Sequence, residues 1–150
     1  MDAALEVDRV LVPVDGSEES LSAVEYAVAI ARRYEAAVHA VYVLGEEAVR
    51  AIETDAVAHE EVAAETEAFT DTVRERCADA GVSASTAITY GYSTRRKSTH
   101  PGSAILDTAE EIDADFIVIP REPVVGEPGE VLEKAAEYVL LYASQPVVSV

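Results

Sequence analysis

The sequence has one cysteine (Cys77), one methionine and no tryptophan, and lysine stands only at Lys97 and Lys134. A lone cysteine excludes an internal disulfide, and with it the stapled scaffolds of small secreted proteins. No apolar run approaches the ~20 residues that a membrane-spanning helix needs. The opening Met1-Asp2-Ala3-Ala4-Leu5-Glu6 is acidic and lacks the basic-then-apolar order of a signal peptide. These absences lead us to expect a cytoplasmic protein. Positive charge is equally scarce: 11 Lys and Arg stand against 29 Asp and Glu, for a net charge of −18. Such a surface repels the phosphates of nucleic acids and anionic membranes, so neither is an expected partner.

What is present is enough for one domain over 1–150. A chain of 150 residues buries roughly 70% of its unfolded surface without disulfides or metals. Hydrophobic residues make up 49%, many of them alanine, which rules out a disordered chain. An acidic, lysine-poor, alanine-rich composition resembles the proteins of extreme halophiles. In molar salt the Debye length falls to about 3 Å, so a basic residue that binds a ligand there has to touch it.

Strand and helix patterns alternate throughout. Arg9 to Val14 is almost wholly apolar, as a strand covered on both faces should be. Asp15-Gly16-Ser17 ends it, and Ser17 is placed to cap a helix whose first turn holds Glu18 and Glu19. Ala37 to Val43 reads as a second strand. A helical stretch from Glu46 to Ala80, irregular before Val57, stops at Gly81. Ser83–Tyr90, Phe116–Ile119 and Pro146–Val150 read as further strands, and Gly102–Ile112 and Val131–Ala143 as helices. Tyr92 to His100 and Pro120 to Pro128 read as loops. Five strands alternating with four helices argue for a doubly wound α/β domain with a parallel sheet and helices on both faces. A ligand would then lie beyond the C-terminal ends of the strands, where the strand order switches.

The stretch Val10-Leu11-Val12-Pro13-Val14-Asp15-Gly16-Ser17-Glu18 resembles the first strand and turn of the universal stress proteins. Gly91 and Pro101 with Ile105-Leu106 resemble that family's Gly-x-Pro-x-x-x-Ile-Leu stretch, with an insertion. Ala114-Asp115-Phe116-Ile117-Val118-Ile119, Ala136-Glu137-Tyr138-Val139 and Pro146-Val147-Val148 resemble its fourth strand, last helix and last strand. The resemblance implies a Rossmann-like sheet of order 3-2-1-4-5 and a stress-response protein that is usually dimeric and not an ordinary enzyme.

ATP-binding members carry Gly-x-x-Gly, nine residues, then Gly-Ser or Gly-Thr after the fourth strand. Glycines there let backbone N–H groups approach phosphates, and the hydroxyl stands at a helix start. The equivalent positions here are Pro120, Pro123 and Glu133-Lys134. Two prolines remove two donors, and a carboxylate replaces the last glycine. Gly126-Glu127-Pro128-Gly129 only mimics the motif, because nine residues further on stands Val139. No cofactor is therefore expected. Asp15 is retained; the resemblance implies contact with the adenosine end of a nucleotide, while an Asx turn before a helix also accounts for it. Val43, at the end of the second strand, is the other candidate contact on that side.

Nine residues, Tyr92 to His100, fill the insertion, and Arg95-Arg96-Lys97 stand among hydroxyls there. With Arg121 they form a candidate anion-binding set; the alternative is a solvated loop. His39, His59 and His100 have no metal-ligand spacing, Ser17 is explained by capping, and Cys77 lies on an apolar helical face. We therefore expect a non-enzymatic adapter or regulator that binds an unknown protein partner. The alternative is a sensor of an anion or nucleotide through the rebuilt loop. An edge strand at Pro146–Val150, rich in β-branched residues, is expected to pair with its copy in a homodimer.

Overall fold

Val10, Leu11, Val12, Pro13 and Val14 are all buried in the first strand, β1 (Arg9–Val14). The structure is a computed structural model, and it describes residues 6–45, 48–50, 53, 56–90, 100–120 and 130–150. After β1 come α1 (Glu18–Tyr34), β2 (Ala37–Leu44), α2 (Ala56–Asp79), β3 (Ala84–Tyr90), α3 (Pro101–Glu111), β4 (Phe116–Ile119), α4 (Glu130–Tyr142) and β5 (Val147–Ser149). The strands form one sheet of order β3-β2-β1-β4-β5, and every neighbouring pair is parallel. Of the stretch expected to be helical from Glu46, Ala56–Asp79 forms α2 and residues 48–50 and 53 are also helical, while 46–47, 51–52 and 54–55 lie outside the described residues. Among the described residues no helix is long and apolar enough to cross a membrane.

Alternation along each strand divides the core in two. Val10, Val12, Val14, Val38, Ala40 and Val118 face Ala23, Val24, Ala27 and Ala31 of α1 and Val73 and Cys77 of α2. Leu11, Val41, Val43, Ile117 and Ile119 face Ile105 and Ala109 of α3 and Leu132, Ala135 and Val139 of α4. Alanine on α1 lets that helix lie close to the sheet, and Cys77 is fully buried on the same side. Its thiol pKa is pushed up by that burial, which leaves it an inert core residue.

The ends of the elements are fixed by particular polar groups. Ser17 caps α1 by accepting from the Ser20 amide at 3.1 Å. Glu35 ends α1 in the left-handed region at φ 56°, and the Ala36 amide reaches back to the Ala31 carbonyl at 2.8 Å. At the opposite end of the sheet from Asp15, Asp115 Oδ2 accepts from the amides of Asp8 and Arg9 at 2.7 and 3.1 Å. That carboxylate staples the start of β1 to the start of β4.

Candidate functional site

The β1–β4 ladder is short. Its registered pairs are Val10 with Phe116 and Leu11 with Ile117, whereas β1 pairs with β2 along its whole length from Arg9 to Val14. The reason lies in two prolines. The Arg9 carbonyl faces β4, where it accepts from the Asp115 amide, while the neighbouring Asp8 carbonyl faces β2. Residues 9, 11 and 13 therefore turn their polar groups toward β4. On β4, residues 117 and 119 are bonded to β5, so 118 and 120 turn toward β1. The next donors needed to continue this ladder would come from residues 13 and 120, and both are proline, which has no N–H. The two strands are thus unlaced where the strand order switches, the place where open α/β sheets hold ligands.

Asp15 stands at this opening, directly after β1. Its Oδ1 accepts from the Ser17 amide at 3.0 Å and from the Ser17 hydroxyl, which is the Asx turn expected from the sequence. The Ser20 hydroxyl donates to the Ser17 carbonyl at 2.9 Å. The Ser17 hydroxyl is fully used, as donor to Asp15 and as acceptor from Ser20, so it is a cap and not a nucleophile. Asp15 Oδ2 is different: it is buried and has no hydrogen-bond partner among the described residues. A buried carboxylate oxygen without a donor is costly, and a ligand N–H or O–H would relieve it.

Tyr42 closes the site on the β2 side. Its hydroxyl donates to the Asp15 carbonyl at 3.2 Å, and its ring meets Phe69 of α2 edge-on, with centroids 5.8 Å apart. Burial, and then the Asp15 charge, raise the pKa of its phenol, so it remains a neutral donor. Gly16, at φ +86°, leaves room for that hydroxyl. Val43 is buried with Val41, Leu11 and Ile119; its side chain belongs to the core of the second face.

Arg95, Arg96, Lys97 and Arg121 lie outside the described residues, as do Gly91, Pro123 and Gly126 to Gly129. The structure therefore does not bring the basic candidates to Asp15 or hold them apart from it. Pro120 is buried immediately after β4, and positions 133 and 134 fall in the first turns of α4. Val139 is fully buried inside α4, so the Gly126–Gly129 pattern has no phosphate-binding continuation.

Two features escaped the sequence reading. His100 is the cap of α3: its Nδ1 accepts from the Gly102 amide at 3.0 Å, and Pro101 opens the helix. Its ring stacks on Tyr138 at 4.6 Å, and Tyr138 meets Tyr142 at 4.7 Å. A cap residue followed by proline, and two tyrosines four residues apart, were the available signals. Among the described residues no group of three or more His, Cys, Asp or Glu could hold a metal ion.

A model of the universal stress protein family matches residues 6–150. Universal stress protein UspA from Lactobacillus plantarum is 25% identical, with a TM-score of 0.72 over 98% of this chain and 99% of that one. A universal stress protein in complex with cAMP is 21% identical, with a TM-score of 0.68 over 97% of both chains. One from Archaeoglobus fulgidus in complex with dAMP is 22% identical, with a TM-score of 0.64 over 97% of this chain and 98% of that one. Among curated proteins no significant match is found.

Proposed function

Because the chain belongs to the universal stress protein family, we propose that it is a homodimeric stress-response protein of the kind that does not hold ATP. It acts as an adapter, by contact with another protein, and has no catalytic role. The observation that carries this reading is Pro120, buried directly after β4. A phosphate would need a backbone N–H there, and proline has none. Pro123 and Glu133, at other positions of the motif, oppose a triphosphate for the reasons already given, and Lys134 lacks the hydroxyl of the motif. Leu140, Leu141 and Tyr142, exposed in the last turn of α4, supply apolar surface for protein contact. The net charge of −18 supports work in molar salt, where self-repulsion is screened. Calorimetry with ATP and magnesium in molar KCl tests the proposal. The expected result is no saturable binding in the micromolar range, and saturable binding there overturns it.

A second reading rests on Asp15 Oδ2. The orphaned oxygen at the switch point favours a small ligand that presents a hydrogen-bond donor, such as the base of a nucleotide lacking a triphosphate. The relatives in complex with cAMP and dAMP make those compounds, with adenosine, the first to titrate. Asp15→Asn keeps an acceptor for Ser17 and replaces the orphaned oxygen by a donor. This reading expects saturable binding that is lost in that variant. Arg95→Ala, Arg96→Ala and Lys97→Ala together should weaken the phosphorylated ligands and spare adenosine if the basic segment holds their phosphate. No binding by the wild type rejects the second reading and leaves the first.

A further inference from the structure

On the second face of the sheet, away from Asp15, a groove of ≈ 410 Å³ opens between the β2–β3 strands and α3. Its size is that of a small-molecule site. Val41, Ala87 and Ile112 give it apolar lining, and its polar side chains include His39, Asp107 and Glu111. His39 is held in place by Ser85 on the adjacent strand, Nδ1 to Oγ at 2.6 Å. Thr108, also in the lining, spends its proton on the Ala104 carbonyl at 3.0 Å and so offers only lone pairs. Among the described residues no lysine or arginine lines the groove.

The chemistry of this set is one-sided. Two carboxylates and a hydroxyl oxygen accept, and burial lowers the His39 pKa, so the imidazole there is neutral near pH 7 and adds no positive charge. Among the described lining residues an anion would meet no positive charge. A metal ion is disfavoured because no three ligating side chains converge among the described residues. Asp107 and Glu111 are also one turn apart on α3, whose last turn carries no basic residue. Like charges at this spacing repel, and a carboxylate at a helix C-terminus opposes the dipole. Local stability is thus given up at the point where a cation would restore it.

We propose that the groove between β3 and α3 binds a small organic cation, an alkylammonium whose N–H donors meet Asp107 and Glu111 and whose stem lies on Val41, Ala87 and Ile112. The site is separate from the crevice at Asp15 and does not depend on what that crevice holds.

The probe is n-butylammonium, titrated calorimetrically at fixed ionic strength, with tetramethylammonium as a cation of equal charge and no donors. Saturable binding of n-butylammonium is expected, with tetramethylammonium weaker by about tenfold or more, since charge-assisted hydrogen bonds carry the difference. Asp107→Asn with Glu111→Gln should lose about tenfold or more in affinity for the same reason. Both side chains are exposed, so the fold should survive. Glu60→Gln with Glu61→Gln, exposed on α2, changes the net charge equally and should leave affinity unchanged. The His39 ring resonances should shift on titration. Equal binding of the two cations, or equal loss in both double variants, shows general screening of a −18 protein and overturns the proposal.

Discussion

The hydroxyl of Tyr42 stands directly over Gly16, so that a Cβ at position 16 would lie 2.6 Å from it. The same hydroxyl bonds the Asp15 carbonyl at 3.2 Å, and Gly16 holds φ +86°. Two independent costs therefore meet any side chain at this turn. Gly16→Ala should destabilise the protein by about 1–3 kcal/mol. Adding Tyr42→Phe to that variant should return only the steric part, because the dihedral cost stays. Urea denaturation of the single and double variants measures both. A Gly16→Ala loss under about 0.5 kcal/mol would mean that the turn is looser than this geometry requires.

Glu35 is the opposite case, a residue with a side chain where glycine would serve better. It ends α1 at φ 56°, in a region that costs an ordinary residue about 1 kcal/mol. Its amide and that of Ala36 close the helix on Arg32 and Ala31, and these bonds need only backbone. Glu35→Gly should stabilise the protein by about 0.5–1 kcal/mol. A melting curve should show a rise of about 2–4 °C. An unchanged or lower Tm would mean that the Glu35 side chain contributes more than its backbone costs.

How much of this was legible in the sequence depends on whether the signal was local. Phe116–Ile119 is a strand at the expected limits because four apolar residues between Asp115 and Pro120 leave little choice. Ser17 could be named as a cap because a hydroxyl before two glutamates is a local signature. The Asx turn of Asp15 was legible for the same reason. Its orphaned Oδ2 was not, because burial of one oxygen depends on everything packed around the turn. Pro13 and Pro120 are far apart in the chain, and their joint effect on the β1–β4 ladder emerges only from the register. His39, Asp107 and Glu111 likewise share a groove only because β2 and α3 lie together on one face.

His39 links stability to pH. Its imidazole pKa is lowered by burial, so the folded protein resists protonating it and the unfolded chain does not. The sign follows: this contribution is fully present above the unfolded value, about 6.5, and is lost as the pH falls through the lowered folded value. An NMR titration of the His39 ring should give a midpoint below that of a free imidazole. Stability relative to His39→Gln should fall between about pH 7 and pH 5. A ring midpoint at or above the free value would reverse the sign and refute the assignment.

The last prediction concerns the free edge of the sheet. β5 ends the order β3-β2-β1-β4-β5, and its inner side is paired beyond the regular strand, since Ile117 donates to the Pro146 carbonyl and Val150 donates to the Ile119 carbonyl. Residues 146, 148 and 150 thus turn their polar groups toward β4, which leaves those of Val147 and Ser149 facing outward. Among the described residues no strand pairs with this outward row, and such a row between valines is an association site unless something covers it. Antiparallel pairing with the same edge of a second copy is self-complementary and closes as a dimer. The register also decides which substitution is informative. A proline at Val148 would strike the internal ladder, whereas Ser149→Pro removes an outward N–H and keeps the inner bonds. Each lost bond is worth about 0.5–1.5 kcal/mol and is lost twice under two-fold symmetry, so the dimer should weaken by about tenfold or more. Light scattering in molar KCl should give twice 16.0 kDa for the wild type and a concentration-dependent shift toward monomer for Ser149→Pro, with an unchanged circular dichroism spectrum. If Ser149→Pro unfolds the chain, Leu141→Glu, at an exposed position on the last turn of α4, tests instead whether that apolar surface contributes to the dimer. A wild type that runs as a monomer defeats the idea, and a dimer indifferent to both substitutions puts the interface on another face.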